Sequence, residues 1–188
     1  MVMGDVLNPI LVSINQFYGI EINDFAVSVA MAALWIAESQ MMKETEAIVM
    51  KELTFLPLTS HATIVEGNAL RLDWETVVSK NKLNYIMGNP PFVGSKFMAA
   101  VQRSDITRVY EGCKNSGIVD YVSGWFYNAA EMLAGTKIAA AFVSTNSITQ
   151  GEQVAAVWKP LFERFGIHIY FAHRTFKWGN EANANALV

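Results

Sequence analysis

The residues best suited to chemistry are Asn89-Pro90-Pro91-Phe92, which follow the apolar run Leu83-Asn84-Tyr85-Ile86-Met87 and Gly88. An Asn side chain offers a carbonyl oxygen that accepts a proton from an amine. The proline after it contributes a main-chain carbonyl while lacking an N–H, so two acceptors stand side by side on a stiff backbone. Such a pair suits the two hydrogens of a planar exocyclic NH2. It would draw electron density onto the nitrogen and orient its lone pair. Phe92 adds a face on which a flat ring can stack. The plainer alternative is a proline turn that only ends a strand. The strand before it and the aromatic after it favour the chemical reading.

The elements that must position this turn alternate along the chain. Phe17–Ile22, Ala62–Glu66, Leu83–Met87, Ile138–Val143 and Ile167–Ala172 read as short strands. Pro9–Ile14, Phe25–Met42, Asp120–Leu133 and Glu152–Phe165 read as helices, the last kinked or restarted at Pro160. Asp24 and Asp120 are placed to act as N-caps. Lys51–Ser60, with Pro57, reads as a loop, Asp73–Lys80 as one or two helical turns, and Ser95–Gly117 as a mobile insertion with some helix. Short apolar strands between helices predict an α/β fold with a doubly wound parallel sheet, its strands covered on both faces. Ligands should then bind at the carboxyl ends of the strands, where Glu21, Asn68 and Asn89 would share one edge.

Composition narrows the function. The 188 residues are 52% hydrophobic and 16% charged, which excludes a disordered chain and is enough for one core. A net charge of −3 argues against the chain being the whole of a DNA-binding protein, but suits a catalytic domain whose main DNA grip lies elsewhere. A single cysteine, Cys113, excludes an internal disulfide, and His61, His168 and His173 are not at metal-ligand spacing, so no metal is expected. The sequence shows no apolar run judged long enough to span a bilayer and no signal peptide, so a cytoplasmic protein is expected.

Gly88-Asn89-Pro90-Pro91-Phe92 resembles the catalytic motif of amino-methyltransferases, (Asp/Asn)-Pro-Pro-(Tyr/Phe), most of which methylate adenine N6 in DNA. The resemblance extends, in order, over nearly the whole chain. NPPFVGSKFM (Asn89–Met98), DYVSGW (Asp120–Trp125), STNSITQ (Ser144–Gln150) and FAHRTFKW (Phe171–Trp178) together resemble the large bacterial class that fuses restriction and modification in one polypeptide. It implies a Rossmann-like, S-adenosylmethionine-dependent sheet with helices on both faces. Gly19–Asn23 resembles the second motif, in which Glu21 would accept from both ribose hydroxyls of the cofactor and Ile22 would pack on its adenine. Glu66–Leu70 resembles the third, with Asn68 where Asp is common, so Asn68, beside Ala69, would take the adenine amino group without charge. Asn89 would also border the cofactor. Phe176, with Trp178 as second choice, would stack on the target base opposite Phe92. Ser144, Thr145 and Asn146 would shape the pocket, and Arg174 and Lys177 would sit near phosphate or on a solvated surface. Against these roles stand ordinary ones: a strand-end acid for Glu21, a turn residue for Asn68 and a core plug for Phe176.

The resemblance also marks what is lacking. Nothing before Glu21 is similar to the family's Asp-Pro-Ala-Cys-Gly-Ser-Gly loop, which belongs upstream of Met1. Asn185–Val188 resembles the start of the final antiparallel strand, after which a target-recognition domain would follow. Residues 1–188 are therefore expected to be a partial catalytic domain, inactive alone, whose parent protein extrudes an adenine from duplex DNA. Two rivals remain: a methyltransferase of the same motif class acting on RNA or protein glutamine, and a non-catalytic remnant or partner-dependent subunit.

Overall fold

The computed structural model describes residues 10–50, 52–53, 61–179 and 185–187; Pro9 and nearly all of the expected loop at 51–60 lie outside them. The chain divides into two compact units, Met1–Asp73 and Trp74–Val188.

In the first unit, strands β1 (Tyr18–Glu21) and β2 (Thr63–Glu66) pair in parallel, with Tyr18 opposite Thr63 and Glu21 opposite Glu66. Gly19 faces Ile64 at close range; a Cβ there would lie 2.8 Å from Ile64 Cδ1. Helix α1 (Asp24–Val49) joins the strands and packs on both. Its cap is Asn23, not Asp24. Asn23 holds extended dihedrals (φ −148°, ψ 162°) and its Oδ1 accepts the Ala26 N–H at 2.8 Å. Asp24 is already helical, so its carboxylate serves the adjoining Phe25 N–H. The helix runs past the expected end at Met42, because no Gly or Pro interrupts it before Met50 closes it in the left-handed region (φ 51°).

By length and composition α1 is apolar enough to cross a membrane, contrary to the reading of the sequence. Its packing on β1 and β2, its Trp35–His61 ring contact at 5.9 Å and the Glu38 Oε1 that accepts the Ile14 N–H at 3.3 Å make it a sheet-covering helix. A charge such as Glu38 near a membrane midpoint is disfavoured. The helix expected over Pro9–Ile14 does not form at Ile10–Ser13. A single 3-10 turn, Ile14–Gln16, takes its place, with Ser13 N–H donating to Gln16 Oε1 at 3.1 Å.

In the second unit, β3 (Tyr85–Gly88) and β4 (Ala139–Phe142) pair in parallel, with Gly88 opposite Phe142. Three helices follow the turn after β3: α2 (Ala100–Val109), α3 (Ser123–Leu133) and α4 (Gln153–Phe165). Phe126 of α3 meets Phe142 at 5.1 Å and Trp158 of α4 at 5.6 Å, tying α3 to one face of the strand pair and α4 to α3. Val119, Val122, Val157 and Leu161 form the tightest core. Pro160 sits inside α4 without ending it, and Gly166 (φ 66°) terminates the helix by donating its N–H to Phe162 O.

Two expectations fail in this unit, and a third holds in part. Residues 95–117 carry the helix expected among them, and α2 with its C-cap brings Ile106 and Tyr110, 2% and 1% exposed, into the core. Their i, i+4 spacing puts them on one helix face. Ile167–Ala172 forms no strand, and Tyr170 and Phe171 stand open to solvent, because no described strand lies beside the segment to share its hydrogen bonds. Nor are the strands covered on both faces. Tyr85 and Met87, two residues apart and thus on one face, are 72% and 78% exposed, opposite the face that Phe142 presents to α3.

Last come β5 (Lys177–Gly179) and β6 (Asn185–Leu187), paired antiparallel, which agrees with the antiparallel strand expected near the end of the chain. The architecture is mixed α/β. The described strands form three two-stranded sheets rather than the single sheet expected.

Two measurements check this packing. Asn23→Ala should destabilise the first unit by about 1 kcal/mol in denaturant unfolding, and Asp24→Ala by clearly less. In the second unit, burial first, and then the Cys113 Sγ contact at 3.7 Å, push the Tyr127 hydroxyl from 10.0 up to about 12. Burial raises Tyr110 as well. The folded protein then keeps protons that the unfolded chain releases. Stability should be full below pH 10.0 and should fall as pH rises through about 12, and Tyr127→Phe should flatten that fall in urea titrations.

Candidate active site

The Asn89-Pro90-Pro91-Phe92 turn starts where β3 must stop. Gly88 O still accepts the Val143 N–H at 3.1 Å, but Pro90 and Pro91 have no N–H with which to extend the ladder. Pro90 is buried, Asn89 and Pro91 are exposed, and Phe92 is half-buried. Pro91 O accepts the Val93 N–H at 3.1 Å. Among the described residues, neither the Asn89 side chain nor the Pro90 carbonyl has a hydrogen-bond partner. Both acceptors that the sequence nominated are therefore unspent within the fold.

The far side of the turn is held by residues to which the sequence reading gave no such role. Val93 O accepts the Tyr121 N–H at 2.9 Å, and Ser95 N–H donates to Asp120 Oδ1 at 2.7 Å. Asp120 is not the N-cap of α3 that its position suggested. It lies two residues earlier than the cap, since Val122 occupies the cap position, and its carboxylate turns to other segments. Gln153 donates its Nε2 to Asp120 Oδ1 at 3.1 Å and accepts the Asp120 N–H at 3.1 Å. Ser147 Oγ donates to Asp120 Oδ2 and lies 2.8 Å from Thr145 Oγ1. The quoted runs DYVSGW and STNSITQ thus meet at one carboxylate. The available clue was an acid beside Val119 and Val122, both 0% exposed. Ser144 Oγ donates to Thr145 O, and Asn146 opens a 3-10 turn, so Ser147 rather than Asn146 reaches the acid.

The first unit gathers the other set. Gly67 N–H donates to Glu21 O at 2.7 Å, which carries the parallel pairing one step beyond the strand ends. Gly67 lies close under Leu72: a Cβ would stand 2.5 Å from Leu72 Cδ1, so the leucine side chain would have to shift to admit one. Asn68 then turns the chain: its Oδ1 accepts the Leu70 N–H at 2.8 Å and its carbonyl accepts from Arg71 and Leu72. The turn role weighed against ligand binding is therefore present, and it uses one lone pair of the side-chain oxygen. Ala69 is half-buried. Glu21 is half-buried, and its carboxylate has no hydrogen-bond partner among the described residues. Ile22 next to it is 64% exposed. An unspent carboxylate, an open aliphatic face and a tight turn form a set that can take a vicinal diol and an adjoining flat heterocycle.

Phe176 is 47% exposed, at the end of the irregular stretch that precedes β5. Arg174 is exposed in the same stretch, and the side chains of Lys177 and Trp178 lie outside the described residues.

Comparison with known proteins gives these two sets a common context. The MmeI DNA-methyltransferase domain family matches residues 5–188. "DNA methyltransferase A" of Bacillus subtilis (strain 168) is 44% identical over 189 residues, an alignment covering 99% of this chain and 21% of the relative. The type IIL restriction-modification enzyme MmeI, solved in complex with DNA, superposes with a TM-score of 0.88 at 40% identity, over 97% of this chain and 25% of that one. The chain spans about a fifth of the length of the curated relative. With the Asn-Pro-Pro-Phe turn and the Glu21 strand end in place, and a family match running almost from end to end, the chain belongs to the MmeI DNA-methyltransferase domain family.

Proposed function

We propose that these residues form part of the catalytic domain of an S-adenosylmethionine-dependent DNA adenine-N6 methyltransferase within a restriction-modification protein. The observation that carries the proposal is the pair of unspent acceptors, Asn89 side chain and Pro90 carbonyl, on a proline-stiffened strand end. On this reading the strand pairs belong to a larger Rossmann-like sheet. A DNA substrate would place the protein in the cytoplasm. The relatives favour DNA over RNA or protein glutamine, since one is named a DNA methyltransferase and the other was solved with DNA.

The residues present fit the cofactor. The Glu21 carboxylate would accept from both ribose hydroxyls, charge-assisted bonds of the stronger kind. Ile22 would cover the adenine ring, and Asn68 with Ala69 would meet its polar edge. When bound, S-adenosylmethionine supplies an electrophilic methyl group. The chain's own part is to hold the attacking nitrogen. An adenine amino group must leave the stack before any side chain reaches it. Phe92, with Phe176 on the opposite face, would stabilise the extruded base by stacking. Asn89 and Pro90 would accept its two N6 hydrogens. Their pull on those hydrogens grows as the nitrogen turns cationic, so the stabilisation belongs to the transition state.

In the full-length protein, Asn89→Ala should lower the single-turnover methylation rate of duplex DNA by roughly 10²-fold or more, leaving cofactor affinity nearly unchanged. A wild-type rate would reduce the turn to a structural one. Phe92→Ala should also weaken base capture, by about 1–3 kcal/mol. Glu21→Ala should weaken cofactor binding in calorimetry by about 1.5–3 kcal/mol, the worth of hydrogen bonds to a charged group, while leaving DNA binding intact. If affinity for the cofactor held steady, the ribose would have to be bound elsewhere.

A further inference from the structure

Asp120 is 5% exposed, and among the described residues its carboxylate has no cationic partner. Burying an acid this way is unfavourable unless hydrogen bonds replace the lost water. Here they do: Ser95 N–H and Gln153 Nε2 donate to Oδ1, and Ser147 Oγ donates to Oδ2. An acid wanted only for helix capping would sit at the helix end in contact with solvent. This one instead joins the segment after the proline turn, the start of α3, the 3-10 turn Asn146–Thr149 and the start of α4.

The turn needs such an anchor. Residues 89–92 have no sheet pairing, and two of them have no N–H. Upstream the turn hangs from Gly88 O. Downstream it is fixed at Val93 O by the Tyr121 N–H, at Ser95 N by Asp120 Oδ1 and, on the exposed side, at Ser95 O by Arg103 Nη2 at 3.2 Å. The two shorter anchors come from residues 120–121. The Tyr121 bond is a backbone bond that no side-chain truncation removes, and the Ser95 N–H bond depends wholly on the Asp120 side chain. Gln153 grips both the N–H and the carboxylate of Asp120, so the aim of the carboxylate is itself fixed.

We propose that Asp120 is a positioning residue for methyl transfer: its buried carboxylate, aimed by Gln153 and Ser147, pins the Ser95 amide and so sets where Asn89, Pro90 and Phe92 stand. The inference rests on the proposed methyltransferase reading and deepens it. Asp120 touches no substrate; it acts through the backbone of the turn. A displacement of the order of an ångström at positioned groups is enough to cost about 10²-fold in rate.

The test uses the full-length protein with S-adenosylmethionine and unmethylated duplex DNA, and reports rates per folded molecule. Asp120→Ala should lower the single-turnover rate at least tenfold and speed amide exchange at Ser95. The cofactor dissociation constant should stay within about twofold, since the cofactor residues are Glu21, Ile22 and Asn68. Asp120→Asn keeps an oxygen for the Ser95 N–H and should recover most of the rate. Ser147→Ala and Gln153→Ala each remove part of the cradle and should give smaller losses of the same kind, which keeps the test open if Asp120→Ala does not fold. A wild-type rate per folded molecule in Asp120→Ala, or in both cradle variants if Asp120→Ala does not fold, would overturn the proposal. Asn89→Ala is run in parallel. If the unsubstituted protein transfers no methyl group to the duplex, the methyltransferase reading has failed; if Asn89→Ala methylates normally, the catalytic role of the turn has failed; if only the Asp120 set is normal, the positioning role alone has failed.

Discussion

Two adjacent prolines have no N–H to give, and much of the second unit answers to that fact. A parallel ladder persists only while each residue can donate, so the ladder of β3 ends at Gly88 and the chain must leave the sheet. Having left, it carries acceptors that nothing in the backbone consumes. A free loop would let those acceptors wander. Instead Tyr121 N–H takes Val93 O, and Asp120 takes the Ser95 N–H. The core helices then serve the same end, because α3 and α4 present Asp120 and Gln153 from segments packed by Phe126 and Trp158.

The parts of this arrangement that were legible in the sequence are those that local chemistry decides. Strands ending at Glu21, Glu66 and Gly88 were visible as short apolar runs closed by polar or glycine residues, and the proline pair fixed the site of the turn. Helix α4 was legible over Glu152–Phe165, and its Pro160 sits within a helix that Gly166 ends. The parts that were not legible are decided at long range. Ser95 and Asp120 are far apart in sequence, and nothing local distinguishes a capping acid from one that turns inward to a distant amide. Likewise α2 looked like an insertion because its exposed face is polar, although Ile106 and Tyr110 anchor it. Ile167–Ala172 has strand composition, but a strand needs a neighbour, and composition does not supply one.

Exposed apolar surface tells a related story. Tyr85 and Met87 on β3, and Phe25 and Ile48 on α1, stand largely open. Apolar area left in water forgoes roughly 25 cal/mol per Å², so uncovered strand faces are poor end states for an isolated fold. The chain spans 21% of one relative and 25% of another. Strands with one bare face suit the proposal that these residues are part of a larger sheet, in which further elements provide the missing cover.

The two candidate sets differ in the kind of acceptor they use, and the proposed chemistry accounts for the difference. Glu21 offers a carboxylate. A charged acceptor holds a neutral diol strongly, and it does so equally before and during reaction, which is what a cofactor grip requires. Asn89 and Pro90 offer only neutral carbonyls. Such groups hold a neutral amine modestly, and their attraction grows once that amine develops positive charge. Neutral acceptors therefore put the interaction where it lowers the barrier, provided they are held in place beforehand. That condition is why a stiff turn and its anchors matter as much as the acceptors themselves.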